Sequence, residues 1–221
     1  MKTGGRWILF MAGGALLCLS GCATSRSVLQ VSLPESTAAV PQLGRQVLIT
    51  AVTDRRVFEE SPKTQDIPSL GFGGAAEATA AMKLRAIGRK RNTYGKALGD
   101  ILLAENQTVE TVARGALEKS LRELGYEVIA DPALAGAGVL RIEAGIDRFW
   151  TYMTPGFWAI RLSADIATTL TLSGGELGGG ERVVAVKYEG SYQVATDGNW
   201  QEVVDKALAE YVEKAKVILA D

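Results

Sequence analysis

A chain of 221 residues, 47% hydrophobic and 22% charged, suits one globular domain with room for an N-terminal targeting segment. Its 24 basic and 25 acidic side chains give a net charge of -1, which excludes the cation excess that general nucleic-acid binding requires. There is no histidine, which excludes Ser-His and Cys-His catalysis and His-ligated zinc.

The chain opens with Lys2 and Arg6 and no acid, followed by the apolar run Trp7–Leu19. That run is shorter than the about 20 residues a membrane-spanning helix needs, so it reads as a signal peptide. The competing reading is a buried N-terminal helix. Immediately after it, Leu19-Ser20-Gly21-Cys22 resembles the bacterial lipobox, in which the cysteine is lipidated and becomes the new N-terminus. The resemblance implies removal of residues 1–21, diacylglycerol on the Cys22 sulfur and an N-acyl chain such as palmitate on its amine. Stable anchoring takes more than one chain, because a single chain holds only marginally. In the enterobacterial sorting pattern, Asp after the cysteine retains a lipoprotein in the inner membrane. Ala23 and Thr24 stand there instead, which implies an outer-membrane anchor with the domain facing the periplasm. Without Lys2 and Arg6 the mature chain has 22 basic against 25 acidic side chains. Cys18 leaves with the signal peptide and Cys22 is acylated, so no disulfide is expected and the core alone must hold the fold.

Residues 22–45, rich in Ser, Thr, Ala and Pro with Pro34 and Pro41, read as a lipidated, flexible tether, and 46–221 as a single periplasmic domain. Val47–Val52 is β-branched and reads as the first strand. From Asp54 to Gln107 sustained periodicity is lacking. Pro62, Pro68, the Gly71-Phe72-Gly73-Gly74 cluster, Gly88, Gly95 and Gly99 give a long irregular loop, with a short helical piece around Ala75–Ala86. The spacing of Val109, Val112, Ala113, Ala116, Leu117, Leu121 and Leu124 predicts a helix over Thr108–Leu124, capped by Thr108 and stopped by Gly125. A short strand follows around Tyr126–Ile129, up to Asp131-Pro132. Three long alternating runs then predict antiparallel strands with one buried and one wet face: Leu140–Asp147, Trp158–Leu172 and Val184–Val194. Thr154-Pro155-Gly156 and the Gly-rich stretch Ser173–Glu181 turn between them. Asn199 and Glu202 open a last amphipathic helix that runs to Leu219. The expected fold is α+β: a two-layer sandwich of a mainly antiparallel sheet with two amphipathic helices on one face.

Several local motifs accompany this order: Val52-Thr53-Asp54-Arg55-Arg56 after the first strand, Ile87-Gly88-Arg89 in the long loop, and Ala116-Leu117-Glu118-Lys119-Ser120-Leu121 running into Leu124-Gly125-Tyr126. With the lipobox, they resemble the YajG-like family of bacterial lipoproteins over most of the mature chain. The resemblance implies a lipid-anchored envelope protein without assigned catalytic residues, so no active site is carried over. The stretch Ile67–Ala80 is longer than that family's usual loop.

Two surfaces stand out as partner-binding candidates. Lys83, Arg85, Arg89, Lys90, Arg91 and Lys96 form a run without an acid, in a domain that is otherwise net negative. It suits lipid phosphates, an anionic glycan or an acidic protein, against the plainer reading of a solvated loop. Trp150, Tyr152, Phe157 and Trp158, with Phe149, surround the Thr154-Pro155-Gly156 turn. They read either as an exposed aromatic tip for a membrane or partner, or as packing under the helices. Asp54, Arg55 and Arg56 suit ion pairs that pin the long loop. The glycine clusters lack the Lys-Ser/Thr of a phosphate loop and read as turns.

The functional expectation is a non-catalytic, outer-membrane-anchored lipoprotein that binds or scaffolds another envelope component, with no metal and no cofactor beyond the covalent lipid on Cys22. The alternative is an auxiliary lipoprotein of an envelope lipid transporter, which needs an apolar cavity between sheet and helices. An enzyme would require Glu143, Asp147, Asp165 or Glu189 to converge in a cleft, and alternation sets these on the wet face. The partner (envelope protein, glycan or lipid) and the oligomeric state are left open by the sequence.

Overall fold

The computed structural model describes residues 26–33, 45–71, 73–92, 94–136, 138–175 and 177–220. The expected signal peptide, Cys22 and most of the Ala23–Leu43 stretch lie outside these residues.

In chain order the elements are β1 (Ser27–Leu29), β2 (Gln46–Asp54), the short helices α1 (Gly74–Glu77) and α2 (Ala80–Arg85), β3 (Ala86–Arg91), β4 (Ala97–Leu103), α3 (Val109–Glu123) and β5 (Glu127–Val128). A single 3-10 turn at Pro132–Leu134 leads to β6 (Leu140–Thr154), β7 (Ile160–Ser173), β8 (Gly180–Tyr192) and α4 (Asp197–Ala220). The eight strands form one sheet. β6, β7 and β8 are successive antiparallel neighbours, as their alternation predicts. The other edge of β6 is shared: β2 runs parallel to Leu140–Ile146, and β3 runs parallel farther on, with Gly88 opposite Thr151. β5 adds to β2 in parallel, β4 to β3 antiparallel, and β1 to β4 in parallel.

The sheet is therefore mixed rather than mainly antiparallel, with four of its seven pairings parallel. Alternation reports that a segment is a strand and which face it buries. The direction of its neighbour is set by the connection, and α3 and the intervening segments carry the chain back between the parallel strands β2 and β6.

α3 and α4 lie against each other and against the sheet, α3 over β2, β5 and β6, α4 over β7 and β8. Between them and the sheet Phe149, Ile142, Leu162, Trp200 and Tyr211 are almost wholly buried. Local chemistry sets the helix ends. Thr108 accepts from the Thr111 amide at 3.1 Å while its own amide donates to Thr111 Oγ1 at 2.9 Å, a reciprocal cap. At the other end Gly125 adopts φ 85°, and the Tyr126 and Gly125 amides close onto Leu121 and Arg122 carbonyls in a Schellman motif. α4 begins two residues before the expected Asn199, because Thr196 is the cap: the Asn199 amide donates to Thr196 Oγ1 at 3.2 Å and the Thr196 amide to Asn199 Oδ1 at 3.1 Å.

The interval 54–107, expected as irregular, holds α1, α2 and the hairpin β3–β4. Ala86 and Leu102 are buried toward one face of the sheet and Ile87, Ile101 and Leu103 toward the other, so no clean polar/apolar alternation marks the hairpin in sequence. Residues 55–80 cross the face opposite α3 and α4. There Leu70, Ala86, Leu102, Trp150 and Tyr152 form a second, smaller core, with Phe58 packed edge-on to Trp150 at a ring separation of 6.0 Å. This part of the outer face is thus not wet. The insertion is pinned by Arg56, whose guanidinium is wholly buried and meets Asp54 with two bonds of 2.8 Å. The same group donates to the Ala86, Phe149 and Lys83 carbonyls at 2.6, 2.9 and 2.8 Å, tying insertion, hairpin and β6 together.

The expected tether is also partly structured. Ser27, Leu29 and Val31 are buried, and the Gln107 side chain clamps Val31, accepting from its amide at 2.9 Å and donating to its carbonyl at 2.6 Å. A three-residue strand leaves little periodicity to read; β1 forms because β4 offers it an open edge.

Candidate functional site at one end of the sheet

β3 and β6 run parallel, so the β3–β4 turn (residues 92–96) and the β6–β7 turn (155–159) project from the same end of the sheet. β8 also finishes there, since Ile160 pairs with Tyr192, and the connection to α4 crosses that end.

The aromatic candidates divide at this point. Trp150 and Tyr152 are buried, 2% and 8% exposed, and so are not part of a tip. A register shift between Ile146 and Arg148 flips the faces of β6, turning Phe149 and Met153 toward the helices and Trp150 and Tyr152 toward the insertion. Trp150 Nε1 donates to the Gln65 carbonyl at 3.1 Å. Phe157 and Trp158 are 90% and 84% exposed, held edge-to-face with ring centres 4.8 Å apart. Tyr94, in the neighbouring turn, is 94% exposed; the sequence reading missed it because it stands alone among polar residues.

The basic run does not form a continuous patch. Strand alternation and local pairing distribute it. Arg85 Nε donates to the Leu103 carbonyl at 2.9 Å. Arg89 stands opposite the wholly buried Asp100, whose carboxylate meets Arg26 at 3.3 Å and the Gly71 amide at 2.8 Å. Lys90 turns to the helix side and bonds Asp197 at 3.1 Å, while Arg91 turns to the insertion and donates to Ser69 Oγ at 3.0 Å. Lys83 is half-buried, and among these six only Lys96 is exposed. Half of the charge that looked available for a partner, on Arg85, Lys90 and Arg91, is engaged within the domain.

A groove of about 460 Å³ opens at the same end, between β3, β4, β6 and the start of α4, with Lys90, Leu98, Met153, Thr196 and Trp200 in its walls. Trp200 is 1% exposed, and its Nε1 has no hydrogen-bond partner among the described residues.

The acidic candidates do not converge. Glu143 and Asp147 are exposed along β6, Asp147 accepting from Thr169 Oγ1 at 2.7 Å. Asp165 is buried beside Tyr152, whose hydroxyl lies 3.5 Å away, with Arg148 at 3.7 Å. Burial raises the Asp165 pKa above the ordinary range, against the opposing pull of Lys187 and Arg148. Glu189 bonds Lys187 at 3.0 Å, which lowers its pKa. Among the described residues no group of three His, Cys, Asp or Glu side chains is placed to hold a metal ion, and no helix is long and apolar enough to cross a membrane.

No family model matches the chain, and no curated protein matches it. Among solved structures, it is similar to a Xanthomonas campestris protein of the DUF330 family, with a TM-score of 0.41 and 11% identity over 87% of this chain and 95% of that one. A minor lipoprotein from Acinetobacter baumannii gives a TM-score of 0.34 and 11% identity, covering 50% of this chain and 86% of that one. A lipoprotein-like protein of Caulobacter crescentus CB15 gives 0.30 and 19%, covering 50% and 80%. Likenesses this distant transfer no function to the chain.

Proposed function

We propose that the protein is a non-catalytic lipoprotein of the bacterial envelope, anchored through lipid on Cys22, facing the periplasm from the outer membrane and binding or scaffolding another envelope component. The reading rests on the lipobox Leu19-Ser20-Gly21-Cys22 behind a basic and apolar leader. The domain that follows supports it: five residues after Cys22 the chain is already part of the sheet, so the domain is built to sit beside its anchor. The YajG-like assignment rests on the short motifs around Asp54, Gly88 and Gly125. Each has structural work in this fold, Asp54 in holding Arg56, Gly88 in letting β3 approach β6, and Gly125 in closing α3.

The lipid-handling alternative asks for an apolar cavity between sheet and helices. Phe149, Leu162, Trp200 and Tyr211 fill the centre of that interval, and the apolar groove of about 690 Å³ beside it, with Leu33, Val186, Leu208 and Val212 in its walls, is open rather than enclosed, which supports the binding or scaffolding role. The test of the anchor is metabolic labelling with palmitate in cells. Wild type takes up label and fractionates with the outer membrane, whereas Cys22→Ser takes up none and is released or stalls as precursor. Normal processing and membrane retention of Cys22→Ser would sink the proposal.

A further inference from the structure

The direction in which the chain meets the sheet fixes which end of the domain lies nearest Cys22. β1 is parallel to β4, with Ser27 opposite Ile101, and β4 begins at Ala97 directly after the β3–β4 turn. The N-terminal end of β1, with Arg26 before it, therefore faces the end that carries that turn. The arrival is fixed at two points. Arg26 bonds Asp100, and Ser27 Oγ donates to Asp197 at the start of α4, the same carboxylate that Lys90 holds.

Reach makes the argument quantitative. Ser27 is five residue steps from Cys22, a span of at most about 17 Å when fully extended. Ser27 is level with Ile101, Ile101 with Gly88, and Gly88 with Thr151. From Thr151 the tip end of β6 at Thr154 is about 10 Å away, whereas the opposite end at Leu140 is about 36 Å away. An anchor at Cys22 reaches the bilayer past the first end and falls short of the second.

The first end is also the one whose chemistry suits a membrane surface. Phe157 and Trp158 stand out from one turn and Tyr94 from the next, all more than four-fifths exposed, with Val194 62% exposed in the adjoining β8–α4 connection. Large aromatics clustered in solvent are uncommon on a soluble domain, and Trp and Tyr favour the boundary between hydrocarbon and headgroups. Lys96, exposed beside Tyr94, carries a cation on a flexible stem that extends to lipid phosphates.

We infer that this end is a membrane-docking surface, with Phe157, Trp158 and Tyr94 seated in the interface of the bilayer that holds the Cys22 lipid, so that the sheet stands on the membrane. The inference rests on the anchor reading above, and its test separates the two. The mature protein is purified from membranes, reconstituted into phosphatidylethanolamine–phosphatidylglycerol vesicles, and weighed by mass spectrometry for lipid on Cys22. Tryptophan emission is then measured with and without phospholipid brominated near the glycerol end of its acyl chains. Trp150 and Trp200 are buried and supply the background, and exposed Trp158 supplies the signal. Quenching in the wild type and its loss in Trp158→Phe is the expected result. Lipid present on Cys22 with Trp158 unquenched overturns the docking and leaves the anchor standing. Absence of the lipid mass overturns the anchor and the docking with it. Shielding of Trp158 only on addition of envelope protein assigns the tip to a protein partner and also overturns the docking.

Discussion

Gly88 on β3 lies so close to Thr151 on β6 that a β-carbon at Gly88 would come within 2.7 Å of both the Thr151 methyl group and its carbonyl oxygen. This contact joins the hairpin β3–β4, and through it β1, to the rest of the sheet. Glycine is required there by space, since the neighbour includes backbone that cannot swing aside.

Gly88→Ala is expected to destabilise the domain by about 1–3 kcal/mol, the usual cost of overpacking a filled site. Gly138→Ala, where a β-carbon meets nothing within 4 Å, serves as the control and should change little. Urea unfolding of the two variants checks this. Equal midpoints would show that β3 and β6 approach less closely than described.

Arg56 is the second structural dependence. Its wholly buried guanidinium satisfies the Asp54 carboxylate and three carbonyls from separate elements. Arg56→Met leaves a carboxylate that is only 11% exposed without its cation, so a loss of roughly 3–5 kcal/mol is expected. Limited proteolysis should then cut first in residues 57–80, because the insertion loses its tie to β6. A thermal midpoint and cleavage pattern unchanged from wild type would contradict the account.

Two carboxylates, partly buried Glu123 and buried Asp165, should give opposite pH dependences. Burial opposes ionisation of Glu123, but hydrogen bonds from Lys119 at 2.7 Å and Lys216 at 2.9 Å outweigh it and hold the pKa low. A depressed folded pKa means stability that is present above the unfolded value and lost as pH falls through the folded one. Glu123→Gln should therefore be less stable than wild type near neutrality and converge with it in acid. Asp165 is the reverse case, its pKa raised chiefly by burial. The charged form is disfavoured in the fold, so wild type loses ground as pH rises through the carboxylate range, and Asp165→Asn should gain on it over the same interval. Denaturant midpoints between about pH 3 and 7 give both slopes. Parallel curves for either variant and wild type would remove that group from the pH dependence.

Both long helices and the three long strands are legible in the chain itself, because each is encoded by neighbours in sequence: apolar residues at three and four, alternation by two, and caps at Thr108 and Gly125. What the sequence concealed depends on distant partners. β1 is a strand only because β4 offers an edge, and β3 lies beside β6 only because Gly88 has no side chain. The bulge after Ile146 decides which core Trp150 and Tyr152 enter, while Phe157 and Trp158 lie in the turn beyond the strand and stay at the surface, although all four look alike in sequence. The six cations from Lys83 to Lys96 read as one patch because no acid stands between them, yet strand geometry sends Lys90 to one face and Arg91 to the other. Local periodicity fixes elements and faces. Direction, register and the pairing of charges far apart in the chain are settled only when the sheet closes, because those energies exist only between segments brought together by the fold.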